Sequence, residues 1–127
     1  MNEGQQLICV IEDNNSVRKL YNILLKKSNY NVVEFEDGNP AIEWLSKNSP
    51  TAVICDDLLP DTNGKEMLAA IRQLPNGKKL PVIAITGFAH AADRERYFAM
   101  GFDGYIAKPI NTSAFVDEIR QIINSKK

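Results

Sequence analysis

Residues 52–64 read AVICDDLLPDTNG, an apolar run that ends in two aspartates and is followed by a proline and a glycine. Four consecutive apolar residues bounded by turn-forming residues are typical of a strand that is buried on both faces. The acidic pair Asp56-Asp57 therefore falls at the carboxyl end of a predicted strand. In an open parallel sheet, the carboxyl ends of the strands meet along one edge, which is where ligands bind.

Four other segments show the same kind of short apolar run, rich in β-branched residues. The predicted strands are Leu7–Ile11, Asn31–Phe35, Ala52–Cys55, Val82–Ile85 and Tyr105–Ala107. Between them, apolar residues recur at helical spacing, and Gly, Pro, Asn and Ser separate the patterns. This alternation predicts an α/β fold with a parallel sheet that is covered by helices on both faces.

Polar residues at the predicted helix starts indicate where the helices begin. The candidate N-caps are Asn15 or Ser16 for the first helix, Asp37 or Asn39 for the second, and Asn111 or Thr112 for the last. The pattern over residues 90–100 has a weaker apolar stripe than the others. We expect this fourth helix to be the least tightly held.

The length and composition favour one soluble domain. The 127 residues include 15 basic and 16 acidic side chains, a net charge of -1, which argues against direct binding of nucleic acid. Residues 7–124 are predicted to form the domain, with a polar N-terminal tail at 1–6 and a C-terminal tail at 125–127. Cys9 and Cys55 lie in apolar runs, so they are interpreted as buried thiols. The chain shows no signal-peptide pattern and no membrane span, which favours a cytoplasmic location.

Polar side chains follow four of the predicted strands. They are Glu12-Asp13, Asp56-Asp57, Thr86 and Lys108-Pro109. Carboxylates that lie close together must bind protons or share a cation, and oxygen ligands with open water positions suit Mg²⁺. A lysine and a hydroxyl add what a phosphoryl group needs, so one carboxylate could serve as a nucleophile and form an aspartyl phosphate. Any one of these residues could equally be a turn former or a solvated side chain.

The segment Asp56–Gly64 resembles the phosphoacceptor segment of the receiver domain of two-component response regulators. In that family, the aspartate is followed four residues later by Pro and eight residues later by Gly, as here by Pro60 and Gly64. Glu12-Asp13, Thr86-Gly87 and Lys108-Pro109 match the other three family motifs, and the resemblance extends over residues 7–124, as in single-domain regulators of the chemotaxis type. It implies a flavodoxin-like, doubly wound five-stranded parallel sheet in the order 2-1-3-4-5, with five helices.

The resemblance also implies a metal site. Carried over to this sequence, it implies that Asp13 and Asp56 hold Mg²⁺ together with the backbone carbonyl of Leu58, and that Glu12 assists through water. Glu12 stands where Asp is more frequent in the family, so its longer side chain could shift the carboxylate outward.

The remaining roles implied by the resemblance concern phosphorylation and its readout. Asp56 would accept a phosphoryl group from a histidine kinase or a histidine phosphotransfer protein. Lys108 would contact that group, and Thr86 and Tyr105 would change position together and alter binding of an output partner or domain. Such a protein is a phosphoacceptor that assists its own phosphorylation and dephosphorylation, and not an enzyme in the usual sense. From the charge and the lack of a long apolar stretch, we expect no direct binding of nucleic acid or of membrane.

Two further positions depart from the family pattern: Asp57, and Gly87, which stands where Ala usually follows the threonine. Asp57 replaces an apolar residue; strand alternation predicts that it points away from Asp56, toward a neighbouring helix or solvent. Phe88 is bulky, and we expect it to cover the acyl phosphate partly from water.

Other functions are compatible with the same fold. A flavodoxin-like flavin binder would need a phosphate cradle where Glu12-Asp13 would repel a phosphate. A phosphatase of the haloacid dehalogenase class would need an Asp at Leu58. A pseudo-receiver that acts only as a docking module would lack one or more of the site residues.

Overall fold

The computed structural model describes residues 6–57, 59–87 and 91–126, and within these ranges five strands alternate with five helices. In chain order the elements are β1 (Gln6–Ile11), α1 (Asn15–Lys27), β2 (Tyr30–Phe35), α2 (Gly38–Leu45), β3 (Ala52–Asp56), α3 (Gly64–Arg72), β4 (Val82–Thr86), α4 (Ala91–Met100), β5 (Gly104–Ala107) and α5 (Phe115–Lys126). All five predicted strands are present. Each differs from its predicted bounds by one residue at one end.

The five strands form one parallel sheet in the order β2-β1-β3-β4-β5, which confirms the implied topology. β1 lies between β2 and β3, so the chain reverses direction across the sheet after β2. The crevice at such a reversal lies between β1 and β3 at their carboxyl ends. The register pairs Ile11 with Cys55, which brings the residues that follow β1 and those that end β3 side by side.

Alternate residues of each strand face two different core layers. Val53 and Cys55 of β3 pack in a layer formed with α2, α3 and α4, whereas Ala52 and Ile54 pack in a layer formed with α1 and α5. Because successive side chains of a strand point to opposite faces, both layers exclude water and the strands read as continuous apolar runs.

The helix starts correct the predicted N-cap of α1 and confirm Asp37 at the N-cap position of α2. Asn14, and not Asn15 or Ser16, caps α1: its backbone is extended and its Oδ1 accepts a hydrogen bond from the Val17 amide at 3.0 Å. Asp37 occupies the N-cap position of α2 but makes no capping hydrogen bond with its side chain. A one-residue error is expected from sequence, because several neighbouring polar residues can serve as caps and only the backbone conformation decides between them.

The last helix begins later than expected. A turn over residues 112–114 precedes α5, and Asn111 Oδ1 accepts a hydrogen bond from the Ser113 amide at 3.0 Å at the start of that turn. Asn111 therefore caps the turn that leads into the helix, and Thr112 lies within it.

The limits of the domain stay a prediction. In the structure, β1 includes Gln6 and α5 continues to Lys126, so the ordered elements extend into both predicted tails. Over the described part of the chain, each helix falls short of the length and apolar character needed to cross a membrane. α4 contributes a single buried side chain among those described, Tyr97, in keeping with its weak apolar stripe.

Candidate functional site

The polar residues predicted at the strand ends meet at one edge of the sheet. Glu12 follows β1 and is 1 % exposed, Asp56 is the last residue of β3 and is 9 % exposed, and Thr86 is the last residue of β4 and is 1 % exposed. Lys108 follows β5, and its amide donates to the Thr86 carbonyl at 2.8 Å. Glu12, Asp56 and Thr86 are the buried polar or charged residues of the described chain, and Lys108 is half-buried.

Three carboxylates form a compact cluster at this edge. Glu12, Asp13 and Asp56 each offer an oxygen, and these atoms all lie within 4.8 Å of one another. Glu12 and Asp56 are buried, and Asp13 is exposed. An all-oxygen set with one side open to water fits a hard divalent cation such as Mg²⁺, which keeps several of its own waters.

Lys108 is the cation that the structure places against this cluster. Its Nζ lies 3.0 Å from Glu12 Oε1 and 3.2 Å from Asp56 Oδ2. Burial alone would lower the pKa of Lys108, but the two carboxylates outweigh it and the pKa is raised from its ordinary value. Lys108 is therefore charged at neutral pH and bridges the ends of β1 and β3.

The surroundings of Glu12 change the pKa of its carboxylate. Burial raises the pKa of Glu12 from 4.5 to about 7, and the nearby Asp56 charge adds to the increase. The Asn14 amide, which donates to Glu12 Oε2 at 3.1 Å, and the Lys108 ammonium act in the opposite sense. The guanidinium of Arg18 donates to the backbone carbonyl of Glu12 at 2.8 Å and holds this turn against α1.

The loop between β3 and α3 is closed by the glycine of the motif. The Gly64 amide donates to the Asp57 carbonyl at 2.8 Å, and a Cβ on Gly64 would lie 2.7 Å from Asp57 Oδ1. Only glycine fits this close approach without displacing Asp57. The glycine eight residues after Asp56 thus has a steric reason in this structure.

The same loop caps α2, which the sequence did not predict. Asp61 accepts hydrogen bonds from the amides of Gly38 and Asn39, both at 2.8 Å. These two amides lower the pKa of Asp61. The cap comes from 22 or more residues away in sequence, so a local search for N-cap residues finds Asp37 instead.

Thr86 and Tyr105, the predicted switch pair, lie on neighbouring strands. β4 pairs Ala84 with Tyr105 and Thr86 with Ala107. The side chain of Thr86 is buried, whereas Tyr105 is half-buried, with its ring 5.5 Å from that of Tyr97 in α4. Tyr97 Oη lies 3.4 Å from Thr86 Oγ1.

One residue near the site was not singled out from the sequence. Tyr97 was one apolar member of the weak α4 stripe, and only the packing of α4 on β4 and β5 reveals its contact with Thr86. Asp57 was expected to point toward a neighbouring helix or solvent, and it is half-buried and faces α4, where its carboxylate interacts with the Tyr97 hydroxyl. Leu58 and Phe88 lie outside the described residues, so the expectations placed on them stay predictions.

Comparisons with known proteins identify the family. The sequence model that describes the response regulator receiver domain family matches residues 8–120 of this chain. The chain is 29% identical over 116 residues to the polar-differentiation response regulator DivK of Brucella anthropi, covering 91% of this chain and 94% of the relative. The chain belongs to the response regulator receiver domain family.

Solved structures agree with this assignment. A receiver domain of a sensor histidine kinase from Pseudomonas aeruginosa superposes with a TM-score of 0.86 at 28% identity, covering 95% of this chain and 99% of that one. That structure has a magnesium ion coordinated in its active-site cleft. The chemotaxis response regulator CheY4 of Vibrio cholerae has the same fold, with a TM-score of 0.87 at 22% identity and coverage of 93% and 98%. The protein is thus a receiver domain of two-component signalling, a class that is not enzymatic in the usual sense.

Proposed function

We propose that this receiver domain accepts a phosphoryl group on Asp56, with Mg²⁺ as its cofactor and Lys108 as the neutralising cation. The observation that carries the proposal is the contact of Lys108 with Asp56, at 3.2 Å, beside a cluster of three carboxylates. Carboxylates this close to one another repel, and one lysine does not neutralise three of them. A bound divalent cation and an incoming phosphoryl group would complete the balance of charge.

The transfer reaction joins one Asp56 oxygen to phosphorus. The carboxylate attacks in line, the P–O bond of Asp56 forms, and the bond to the donor's nitrogen or oxygen breaks. The leaving group takes the electron pair and, in a phosphohistidine donor, a proton from solvent. Lys108 neutralises charge on the transferring group, because its Nζ already lies between Glu12 and Asp56.

Three side chains of the described chain would hold the metal. Asp13 and Asp56 are the proposed direct ligands, Glu12 assists through water, and the carbonyl of Leu58 is a further proposed ligand. Bound Mg²⁺ would shield the attacking carboxylate from the negative charge of the donor. Glu12 is buried and bonded to Lys108, which supports an indirect role.

Phosphorylation is proposed to act on the protein through Thr86 and Tyr105. A phosphoryl group adds negative charge and three acceptor oxygens at the end of β3, next to the hydroxyl that ends β4. Thr86 then turns toward the phosphoryl group, Tyr105 changes rotamer, and the surface of α4 and β5 changes its affinity for an output partner. The proposed donor is a histidine kinase or a histidine phosphotransfer protein, and the proposed location is the cytoplasm.

Intact-mass measurement tests this function. The protein is incubated with a small acyl phosphate and Mg²⁺, alongside Asp56→Asn and the matched variant Asp57→Asn. The proposal expects an adduct of one phosphoryl group in wild type and Asp57→Asn, no adduct in Asp56→Asn, and none when Mg²⁺ is chelated. An adduct that persists in Asp56→Asn, or one that forms equally well without Mg²⁺, would contradict it.

The alternatives raised by the sequence are not favoured. The family match is to receiver domains, not to flavin binders. A docking-only pseudo-receiver would be expected to lack part of the site, yet the described residues include Asp13, Asp56, Thr86 and Lys108 at the same sheet edge.

A further inference from the structure

Tyr97 is a buried tyrosine that the phosphotransfer chemistry does not use. It lies in α4 and is 1 % exposed, with its ring 5.7 Å from that of Phe102 and 5.5 Å from that of Tyr105. A phenylalanine would fill the same apolar space, so packing explains the ring but not the hydroxyl. Buried tyrosine hydroxyls usually have a hydrogen-bond partner.

The hydroxyl of Tyr97 lies between two polar side chains, those of Thr86 and Asp57. Its Oη lies 3.4 Å from Thr86 Oγ1, and in this hydrogen bond either hydroxyl can donate. Burial raises the pKa of Tyr97, Thr86 acts in the opposite sense, and the carboxylate of Asp57 is a hydrogen-bonding neighbour that raises it further. Asp57 and Tyr97 also line the same surface cleft.

Strand geometry explains why these three residues meet. Thr86 follows Val82 and Ala84 in the alternation of β4, and those two residues face the core layer that contains Tyr97. Asp57 follows Val53 and Cys55 in the same way, so it faces that layer too, whereas Asp56 faces the opposite one. An acidic residue directly after the acceptor is therefore directed at α4.

A phenol carries one proton, so it donates to one acceptor at a time. With Thr86 near Tyr97, the Thr86 hydroxyl can donate to Tyr97 Oη while Tyr97 donates to Asp57, so both hydrogen bonds form at once. When Thr86 turns toward a phosphoryl group on Asp56, Tyr97 keeps its hydrogen bond to Asp57, so its hydroxyl stays paired. The hydrogen bond to Thr86 opposes the inward turn, and the carboxylate of Asp57 offsets part of the cost.

Resting on the function proposed above, we propose that Tyr97 is a positioning residue that holds Thr86 away from the phosphoryl site and stays hydrogen-bonded to Asp57 when Thr86 turns inward. This arrangement ties the position of α4 to the state of Asp56. The proposed role of Tyr97 accounts for the acidic residue at position 57. It also accounts for the tyrosine hydroxyl that α4 places in an otherwise apolar layer.

The test measures how tightly Mg²⁺-beryllofluoride, a phosphoryl mimic, binds to the full chain, by ¹⁹F NMR or calorimetry. Tyr97→Phe removes the restraint on Thr86, so we expect binding about 3- to 10-fold tighter than in wild type. In a Thr86→Val background the same change should alter the affinity less than about 2-fold, because the partner hydroxyl is gone. Tyr30→Phe, a buried tyrosine at the other end of the sheet, is the matched control and should bind like wild type.

A second cycle tests the part played by Asp57. Asp57→Ala removes the partner that keeps the Tyr97 hydroxyl paired after Thr86 turns inward. It also removes a charge near the site that acts through space in every background. The charge effect is the same in wild type and in Tyr97→Phe, so it cancels when Asp57→Ala is compared in these two backgrounds. We expect Asp57→Ala to weaken beryllofluoride binding about 2-fold or more beyond this effect in wild type, where the tyrosine hydroxyl is present. If Tyr97→Phe does not fold, the Thr86→Val and Asp57→Ala cycle tests the same link, since Tyr97 lies between the two.

The outcomes separate this inference from the function on which it rests. Equal effects of Tyr97→Phe in the wild-type and Thr86→Val backgrounds would overturn the inference, because a purely structural role gives additive changes. Failure of wild type to bind beryllofluoride or to form a phosphoryl adduct would instead overturn the proposed function. A thermal unfolding curve for each variant shows whether an affinity change reflects loss of fold.

Discussion

Glu12 should make the stability of this protein fall as the pH rises through the neutral range. Burial raises its pKa from 4.5 in an exposed glutamate to about 7 in the folded chain. Between these two values the folded protein binds more protons than the unfolded chain does, so the free energy of unfolding decreases with increasing pH. The stabilising contribution of Glu12 to the free energy of unfolding is fully present below about pH 4.5 and is lost as the pH passes 7.

The size of the effect follows from the shift in pKa. At about 1.4 kcal/mol per pKa unit, the change from 4.5 to about 7 corresponds to a loss of the order of 3 kcal/mol. A domain of this size has a total stability of about 5–15 kcal/mol, so the loss is measurable. The raised pKa of Lys108 and the lowered pKa of Asp61 put their own titrations outside this window.

Urea unfolding at several pH values between 5 and 8, with a chelator present, measures the effect. Wild type should lose stability of the order of 3 kcal/mol over this range. Glu12→Gln removes the titrating group and keeps its shape, so its stability should change much less. Every other titratable group is present in both proteins. The control variant Glu43→Gln changes an exposed side chain, and its free energy of unfolding should depend on pH as that of wild type does. Parallel curves for wild type and Glu12→Gln would refute the reasoning.

Three further predictions concern single contacts of the site and its loop. Lys108→Gln should slow the formation of the phosphoryl adduct by about 100-fold or more in an intact-mass time course, because the cation 3.2 Å from Asp56 is lost. Asp13→Asn should weaken Mg²⁺ binding, measured by calorimetry, by about 10-fold or more, since the cluster loses one of its three carboxylates. Asp61→Ala should lower the free energy of unfolding in urea by about 1 kcal/mol, because two amides at the start of α2 lose their acceptor.

Matched variants control for general effects of each substitution. Lys65→Gln and Asp117→Asn change exposed side chains and should leave adduct formation and Mg²⁺ binding as in wild type. Asp37→Ala changes the N-cap position of α2, where the side chain makes no capping bond, and should cost less than Asp61→Ala. Unchanged rates for Lys108→Gln, unchanged affinity for Asp13→Asn, or a larger loss for Asp37→Ala would contradict the respective reasoning.

The sheet and its functional edge could be predicted from the sequence because both depend on local patterns. Apolar runs such as Ala52–Cys55 identify strands, and the topology of parallel strands brings their polar ends together whatever the helices do. Asp56, Thr86 and Lys108 lie where this reasoning expects them. The order of the strands came from the resemblance to receiver domains, since periodicity alone does not decide it.

Contacts between elements could not be predicted in the same way. The cap of α2 comes from Asp61 in a distant loop, and the start of α1 depends on the extended backbone of Asn14. The hydroxyl of Tyr97 reaches Thr86 only because α4 packs over β4, and an apolar stripe gives no signal for a polar contact. The raised pKa of Glu12 likewise depends on burial by residues that are remote in sequence.

The central claim is that Asp56, and not its neighbour Asp57, carries the phosphoryl group. Reduction of the acyl phosphate with borohydride converts the modified aspartate to homoserine, which peptide mass spectrometry locates in the chain. After incubation with acyl phosphate and Mg²⁺, we predict homoserine at position 56 alone. Homoserine at position 57 or 13, or none in a protein that is folded and binds Mg²⁺, would contradict the account.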